Sequence, residues 1–358
     1  MKRIRVLVAD DSPTMCNVLS SLLGKDPGIE VVGFARDGQQ AVDMADELRP
    51  DVITMDVQMP RVGGLEAIEQ IMAKSPSRIL AVCSVEDREV ELSFRAISAG
   101  ALELIAKPVA GPGYDLAAWG QKLVLAIKLM AEVPVVRRRN QFAPKRASVV
   151  RPGSVDVIAI AASTGGPHAL VTILAALPSN LPVPILIAQH MAPGFGGGFV
   201  RWLAQVTPMK VMTATTGDVC KAGHVYLPPD SHDLTVGRGG MLAVTPNSEM
   251  HCPSGDRLLS SVALAYASGA AGLVLTGMGE DGARGLLAIH QARGVTMAQD
   301  EESSVVYGMP RAAFEMGATT VQLPLSGIAE QLLIMTMSSG SAGKGTSAGR
   351  YSVGREGS

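Results

Sequence analysis

The feature that most constrains this chain is a rhythm that runs through it twice. Short apolar runs rich in β-branched residues alternate with stretches of helical period. In the first 130 residues or so the runs are Arg5–Ala9, Glu30–Ala35, Asp51–Met55, Arg78–Cys83 and Ala101–Ala106. From Val155 the alternation resumes at Val155–Ala162, Val183–Ala188, His224–Leu227, Met241–Thr245, Gly272–Thr276, Val295–Ala298 and Thr320–Leu323. A strand covered on both faces reads as a continuous apolar run, and strands separated by helices build parallel sheets. The rhythm therefore predicts an α/β chain of two doubly wound parallel-sheet domains. A length of 358 residues with 47% apolar residues suffices for two cores.

The rhythm breaks in two places. Residues 131–153, largely EVPVVRRRNQFAPKRASVVRPG, mix proline with arginine and read as a linker. Residues 338–358 are rich in Gly and Ser and read as a disordered tail. This leaves domains at 1–130 and 154–337. The basic run Arg137-Arg138-Arg139 reads as a solvated tether, with docking to an acidic surface as the alternative. A formal net charge of −2 gives no reason to expect a nucleic acid partner. Cys16, Cys83, Cys220 and Cys252 form no C-x-x-C pair, and read as reduced thiols of a cytoplasmic protein. The uncharged stretch from Val262 to Gly279 is broken at Ser268-Gly269 and reads as helix, turn and strand, with no membrane insertion expected. The apolar N-terminal run is cut at Asp10-Asp11, so it reads as a strand and not as a signal peptide.

In the first half, polar residues stand at the carboxyl ends of the predicted strands: Asp10 and Asp11, Asp56, Ser84, and Lys107 with Pro108. In an open parallel sheet those ends share one edge, where ligands bind. Three converging carboxylates repel, and a hard cation such as Mg²⁺ resolves the repulsion. Asp56 is then a candidate phosphoryl acceptor, with Lys107 as a point charge and Ser84 as a hydroxyl for the phosphoryl oxygens. Capping of the following helices is the plainer role for the three aspartates. The stretches VADDS, ITMDVQMP and AKP resemble a response-regulator receiver domain. The resemblance implies a flavodoxin-like fold, phosphorylation of Asp56 by a histidine kinase, and a cis bond before Pro108. Gly63 stands where that family often has an acidic residue, and Leu104 where it often has an aromatic one.

In the second half, VDVIAIAA runs into Ser163-Thr164-Gly165-Gly166-Pro167, a serine at a strand-to-helix turn among small residues. That is the setting of a nucleophile elbow, though a capping serine or a phosphate loop would look alike. His190 ends the run PILIAQH and is the best-placed base among the six histidines. Asp281, in the turn Gly277-Met278-Gly279-Glu280-Asp281-Gly282, could orient that imidazole, with Glu280 as its rival and helix capping as its plainer role. Backbone N–H groups near Thr164 and Met278 are candidate oxyanion donors. The motifs ASTGG, QHM-x-PGF, GMGEDGARGL and AQDEESSVVYGMPRAA are together similar to the chemotaxis protein-glutamate methylesterase/glutaminase family. The resemblance implies a Rossmann-like α/β hydrolase domain with a triad of Ser163, His190 and Asp281 and no cofactor of its own. It implies chemoreceptors as substrates, their glutamyl methyl esters hydrolysed and specific glutamines deamidated. It also implies that the unphosphorylated receiver covers the cleft. HCPSGD departs from the family at Cys252 and Gly255, which bears on substrate preference and leaves Cys252 beside His251 as a conceivable second nucleophile. Two other readings are a paralogue serving a non-chemotaxis array and a silent phospho-dependent binding module.

Overall fold

A computed structural model describes residues 2–85, 87–108, 115–133, 155–247 and 251–337, side chains 87–89 and 337 excepted. The first domain runs β1 (Ile4–Ala9), α1 (Pro13–Leu23), β2 (Ile29–Ala35), α2 (Gly38–Leu48), β3 (Val52–Asp56), α3 (Gly64–Lys74), β4 (Arg78–Cys83), α4 (Asp87–Ala99), β5 (Glu103–Ala106) and α5 (Leu116–Glu132). Three of its helices start on side chains that accept an exposed backbone N–H: Ser12 before α1, Asp37 before α2, Asp115 before α5. The five strands lie parallel in the order β2-β1-β3-β4-β5, with β5 at an edge. This is the flavodoxin-like order.

The second domain runs β6 (Val157–Ala162), α6 (Gly166–Ala175), β7 (Ile185–Gln189), α7 (Gly196–Val206), β8 (Lys210–Thr213), β9 (His224–Leu227), β10 (His232–Val236), β11 (Leu242–Pro246), α8 (Gly255–Tyr266), β12 (Ala270–Val274), α9 (Ala283–Gln291), β13 (Val295–Gln299), α10 (Met309–Glu315), β14 (Val321–Leu323) and α11 (Leu325–Met337). Seven strands lie parallel as β14-β13-β12-β6-β7-β9-β8, and β10 and β11 form a separate antiparallel hairpin. From β6 the chain winds first to one side and later returns to build the other. The carboxyl ends of β12, β6 and β7 therefore flank the point where the winding reverses, which is where such sheets bind ligands. Backbone N–H groups of Ser163 and His190 donate to Thr276 O (3.0 Å) and Ala162 O (2.9 Å), tying the three strand ends together.

The uncharged stretch 262–279 resolves as the end of α8, a 3₁₀ turn at Ala267–Gly269, and β12 with its following loop. No helix among the described residues is long and apolar enough to cross a membrane. The strands β8 and β10 were not predicted. The expected cis bond before Pro108 is trans; among the described residues the one cis peptide bond is Cys252–Pro253. An X-Pro bond prefers trans by only about 0.5–1 kcal/mol, so surroundings decide it and the dipeptide alone does not. The expected linker falls outside the described residues except at 131–133, where α5 ends, and the expected tail lies wholly outside them.

The two domains meet through α4 and α7. Phe94 of α4 is buried, its ring stacked on Trp202 at 5.3 Å, tilted on Phe199 at 5.1 Å and edge-on to Phe195 at 6.2 Å. Glycines let the helices close in. A Cβ on Gly198 would stand 2.1 Å from Val90 Cγ1, and one on Gly194 3.1 Å from Val85 Cβ. One apolar cluster thus runs from the first sheet through Phe94 into the second.

Candidate active site

In the first domain the sheet brings the predicted acidic residues together. Carboxylate oxygens of Asp10, Asp11 and Asp56 lie within 4.8 Å of one another. Lys107 Nζ stands 2.6 Å from Asp56 Oδ2 and 3.1 Å from Asp10 Oδ2. Burial pushes the Asp56 carboxyl up to about 6; Lys107 pulls it down and Asp10 pushes it up. Asp10 Oδ2 is buried and makes no hydrogen bond, although the Lys107 ammonium is near. Three carboxylates with an unspent oxygen suit a hard dication. Ser84 follows β4 at the same edge. Behind the acceptor, a Cβ on Gly64 would stand 1.8 Å from Asp56 O, so only glycine fits there. Gly63, where the acidic residue was missed, is the cap of α3 and offers it no side-chain bond.

In the second domain Ser163, His190 and Asp281 converge from the ends of β6, β7 and β12. The register pairs Ala162 with Gln189, so Ser163 and His190 leave the sheet side by side. His190 Nε2 lies 2.7 Å from Asp281 Oδ2, which leaves Nδ1 as the free ring nitrogen. Among the described residues no hydrogen bond joins the Ser163 hydroxyl to the imidazole, a contact that commonly tightens only with substrate bound.

Asp281 does not cap its own helix, which starts at Ala283 behind the cap residue Gly282. It accepts instead from the start of α8: Gly255 N–H at 2.6 Å, Asp256 N–H at 2.9 Å and Ser254 Oγ at 3.3 Å. Burial opposes its charge, but the His190 bond and those N–H groups win and hold the carboxyl down at about 2. It therefore stays ionised beside the imidazole. The rival Glu280 is exposed and bonds Arg284 at 3.1 Å. Gly255 packs under the site, where a Cβ would meet Ala161 Cβ at 2.7 Å and Asp281 Oδ2 at 3.3 Å. Burial pushes the Cys252 thiol up, and its Sγ faces His232 O at 3.8 Å, so it is a poor nucleophile.

Among the described residues neither the Thr164 nor the Met278 N–H is spent on a backbone carbonyl. Thr276 Oγ1 donates to Thr164 O at 2.9 Å, and Gln189 Nε2 donates to Ser163 O and His190 O, each at 2.9 Å. These bonds stiffen the two loops. The structure also brings His251 to the site, its ring 5.4 Å from that of His190. Its place just ahead of the helix-capping Ser254 was the signal that could have found it.

Residues 6–113 match the response regulator receiver domain family and residues 158–332 the CheB methylesterase family. A protein-glutamate methylesterase/protein-glutamine glutaminase 3 of Myxococcus xanthus is 53% identical, covering 92% of this chain and 93% of its own length. The chain belongs to the protein-glutamate methylesterase/protein-glutamine glutaminase family. A member from Pyrococcus abyssi is 38% identical over 93% of both chains. The crystal structure of the Thermotoga maritima CheB methylesterase catalytic domain is 34% identical, with a TM-score of 0.48, over 50% of this chain and 98% of that one. As a member of this methylesterase family, the chain pairs one site for each matched domain, and the helices α4 and α7 join them.

Proposed function

We propose that the chain is a phosphorylation-regulated serine esterase that hydrolyses glutamyl methyl esters, and deamidates glutamines, on cytoplasmic helices of chemoreceptors. The observation that carries this reading is the 2.7 Å bond between His190 and Asp281, built at the ends of the strands that flank Ser163. Ser163 attacks the ester carbonyl while His190 takes its proton, on Nδ1 in this arrangement. His190 returns that proton to the departing methanol, then activates water against the acyl-enzyme. Asp281 holds the tautomer and stabilises the imidazolium. The N–H groups of Thr164 and Met278 would receive the oxyanion, each such donor being worth about 10²–10³ in rate. This chemistry requires no metal in the hydrolase domain.

The receiver, residues 1–130, takes phosphate on Asp56 from a histidine kinase. Asp10, Asp11 and Asp56 would hold Mg²⁺, which supplies charge neutralisation for the incoming phosphoryl group. Lys107 and Ser84 would contact phosphoryl oxygens. A linker at 131–153 leads to the catalytic domain at 154–337, and a tail follows at 338–358. The packing of α4 on α7 supports occlusion of the cleft by the unphosphorylated receiver.

The test is methanol release from methylated receptor, with and without a small-molecule phosphodonor. Wild type should be stimulated, Asp56→Asn should not, and Ser163→Ala should lose nearly all turnover. Full activity in Ser163→Ala would exclude the triad. Deletion of residues 1–140 should raise basal activity, whereas an inert fragment would mean that the receiver activates and does not merely cover.

A further inference from the structure

The start of α8 holds Asp281, and a second carboxylate holds the start of α8. Asp233 is the second residue of β10. Along that strand Leu234 and Val236 are buried in the apolar cluster that includes Leu258 and Val262 of α8. Successive side chains of a strand point to opposite faces, so Asp233 lies on the other one. It is nonetheless 0% exposed. Its Oδ1 accepts from the Ser254 N–H at 2.6 Å and from Asn247 Nδ2 at 2.9 Å, and its Oδ2 accepts from Arg257 Nη1 at 2.7 Å. None of these groups takes part in the chemistry above.

The order of the donors gives this carboxylate a role. Gly255 and Asp256 donate their N–H groups to Asp281. Ser254 and Arg257, which bind Asp233, stand directly before and after them. The two aspartates thus grip the same helix start, one from the hairpin and one from the catalytic turn. Ser254 is common to both, since its N–H goes to Asp233 and its hydroxyl lies 3.3 Å from Asp281 Oδ1. The first N–H groups of a helix have no partner within it, and they favour negative charge. Asn247 extends the grip. Its Nδ2 also donates to His251 O at 3.0 Å, the residue whose ring lies beside that of His190.

A buried charge is costly to place even when paired, and well-packed apolar residues would hold a hairpin on a helix at less cost. Leu234 and Val236 already do so. We propose, on the triad of the esterase reading above, that Asp233 is a positioning residue. Through Ser254 and Arg257 it fixes the Gly255 and Asp256 N–H groups, these fix the Asp281 carboxylate, and Asp281 fixes the His190 imidazole. The hairpin of β10 and β11, which adds no strand to the large sheet, is then the outer support of the triad.

Two readouts on the full chain test this. The first is methanol release from methylated receptor with phosphodonor present. Asp233→Ala removes every bond and should lower kcat about a hundredfold, with KM within about twofold of wild type. Asp233→Asn keeps Oδ1 for Ser254 and Asn247 but loses the charge opposite Arg257, and should lower kcat about tenfold at the same KM. The second readout needs no substrate. The proton between His190 Nε2 and Asp281 Oδ2 gives a far-downfield proton NMR resonance, identified by its absence in His190→Gln. It should move upfield in Asp233→Asn and be lost to exchange in Asp233→Ala, while Trp202 emission stays at its wild-type wavelength and reports a folded hydrolase domain. Asp233→Ala decides if it folds, and Asp233→Asn decides if it does not. An unmoved resonance in the deciding variant overturns the proposal whatever the rate. So does a kcat within about twofold of wild type, or a raised KM at unchanged kcat, which would place Asp233 in substrate binding. Should wild type release no methanol, the esterase reading falls, and a resonance still lost in the deciding variant would uphold the positioning.

Discussion

Phe94 gives the most direct handle on docking. The ring is 1% exposed and packs on three aromatic rings of the hydrolase domain. Truncating a buried phenylalanine to alanine costs about 3–5 kcal/mol. Taking about 3 kcal/mol of that from docking shifts the open-to-closed ratio by roughly 150-fold, at 1.4 kcal/mol per factor of ten. An enzyme about 99% closed at rest would then be about 60% open. Phe94→Ala should therefore release methanol without phosphodonor at more than half the stimulated rate, and phosphodonor should add less than twofold. The stacked Trp202 reports the same event, since its emission should move to longer wavelength as the ring meets water. Trp119 is the second of the chain's 2 tryptophans and should be replaced by phenylalanine for that measurement. Unchanged emission and unchanged basal rate, in a variant that still accepts phosphate, would refute the idea that this cluster holds the cleft shut.

Other outcomes follow from the two sites. Asp281→Asn should lower kcat about 10³–10⁴-fold, since an amide cannot accept from both the imidazole and the α8 N–H groups as a carboxylate does. Because the Asp281 carboxyl is held at about 2, below its ordinary 3.8, the stability it confers is full above pH 4 and lost as pH falls through 2. The Tm gap between wild type and Asp281→Asn should close over that window. Asp56 has the opposite sign: raised to about 6, its ionised form burdens the folded receiver above that pH. Asp56→Asn should raise Tm at pH 7.5, with the gain fading through pH 6 and gone near 4. Chelation of Mg²⁺ should abolish stimulation by phosphodonor and leave the unstimulated methanol release unchanged.

Much of the site could be read from the chain because strand ends carry it. Asp10, Asp56 and Lys107 meet because parallel strands present their carboxyl ends on one edge, and Ser163 and His190 adjoin for the same reason. What holds Asp281 could not be read. Its donors, Gly255 and Asp256, lie far away in sequence and come from the start of a helix in another layer. The missed strand β8 is only four residues long and buries Val211 alone, too little for a period to stand out. Gly255 looked like a cleft residue and proved to be a spacer between Ala161 and Asp281.

The catalytic residues and the restraint on them are anchored in parts of the fold that differ in strength. Ser163, His190 and Asp281 hang from the middle of a seven-stranded sheet, where main-chain bonds run on both sides. The cover is held by side chains of two helices. Local openings begin where main-chain cooperativity is least. On warming, the enzyme therefore gives up obedience before competence: an interval below global unfolding exists in which it hydrolyses without being told to.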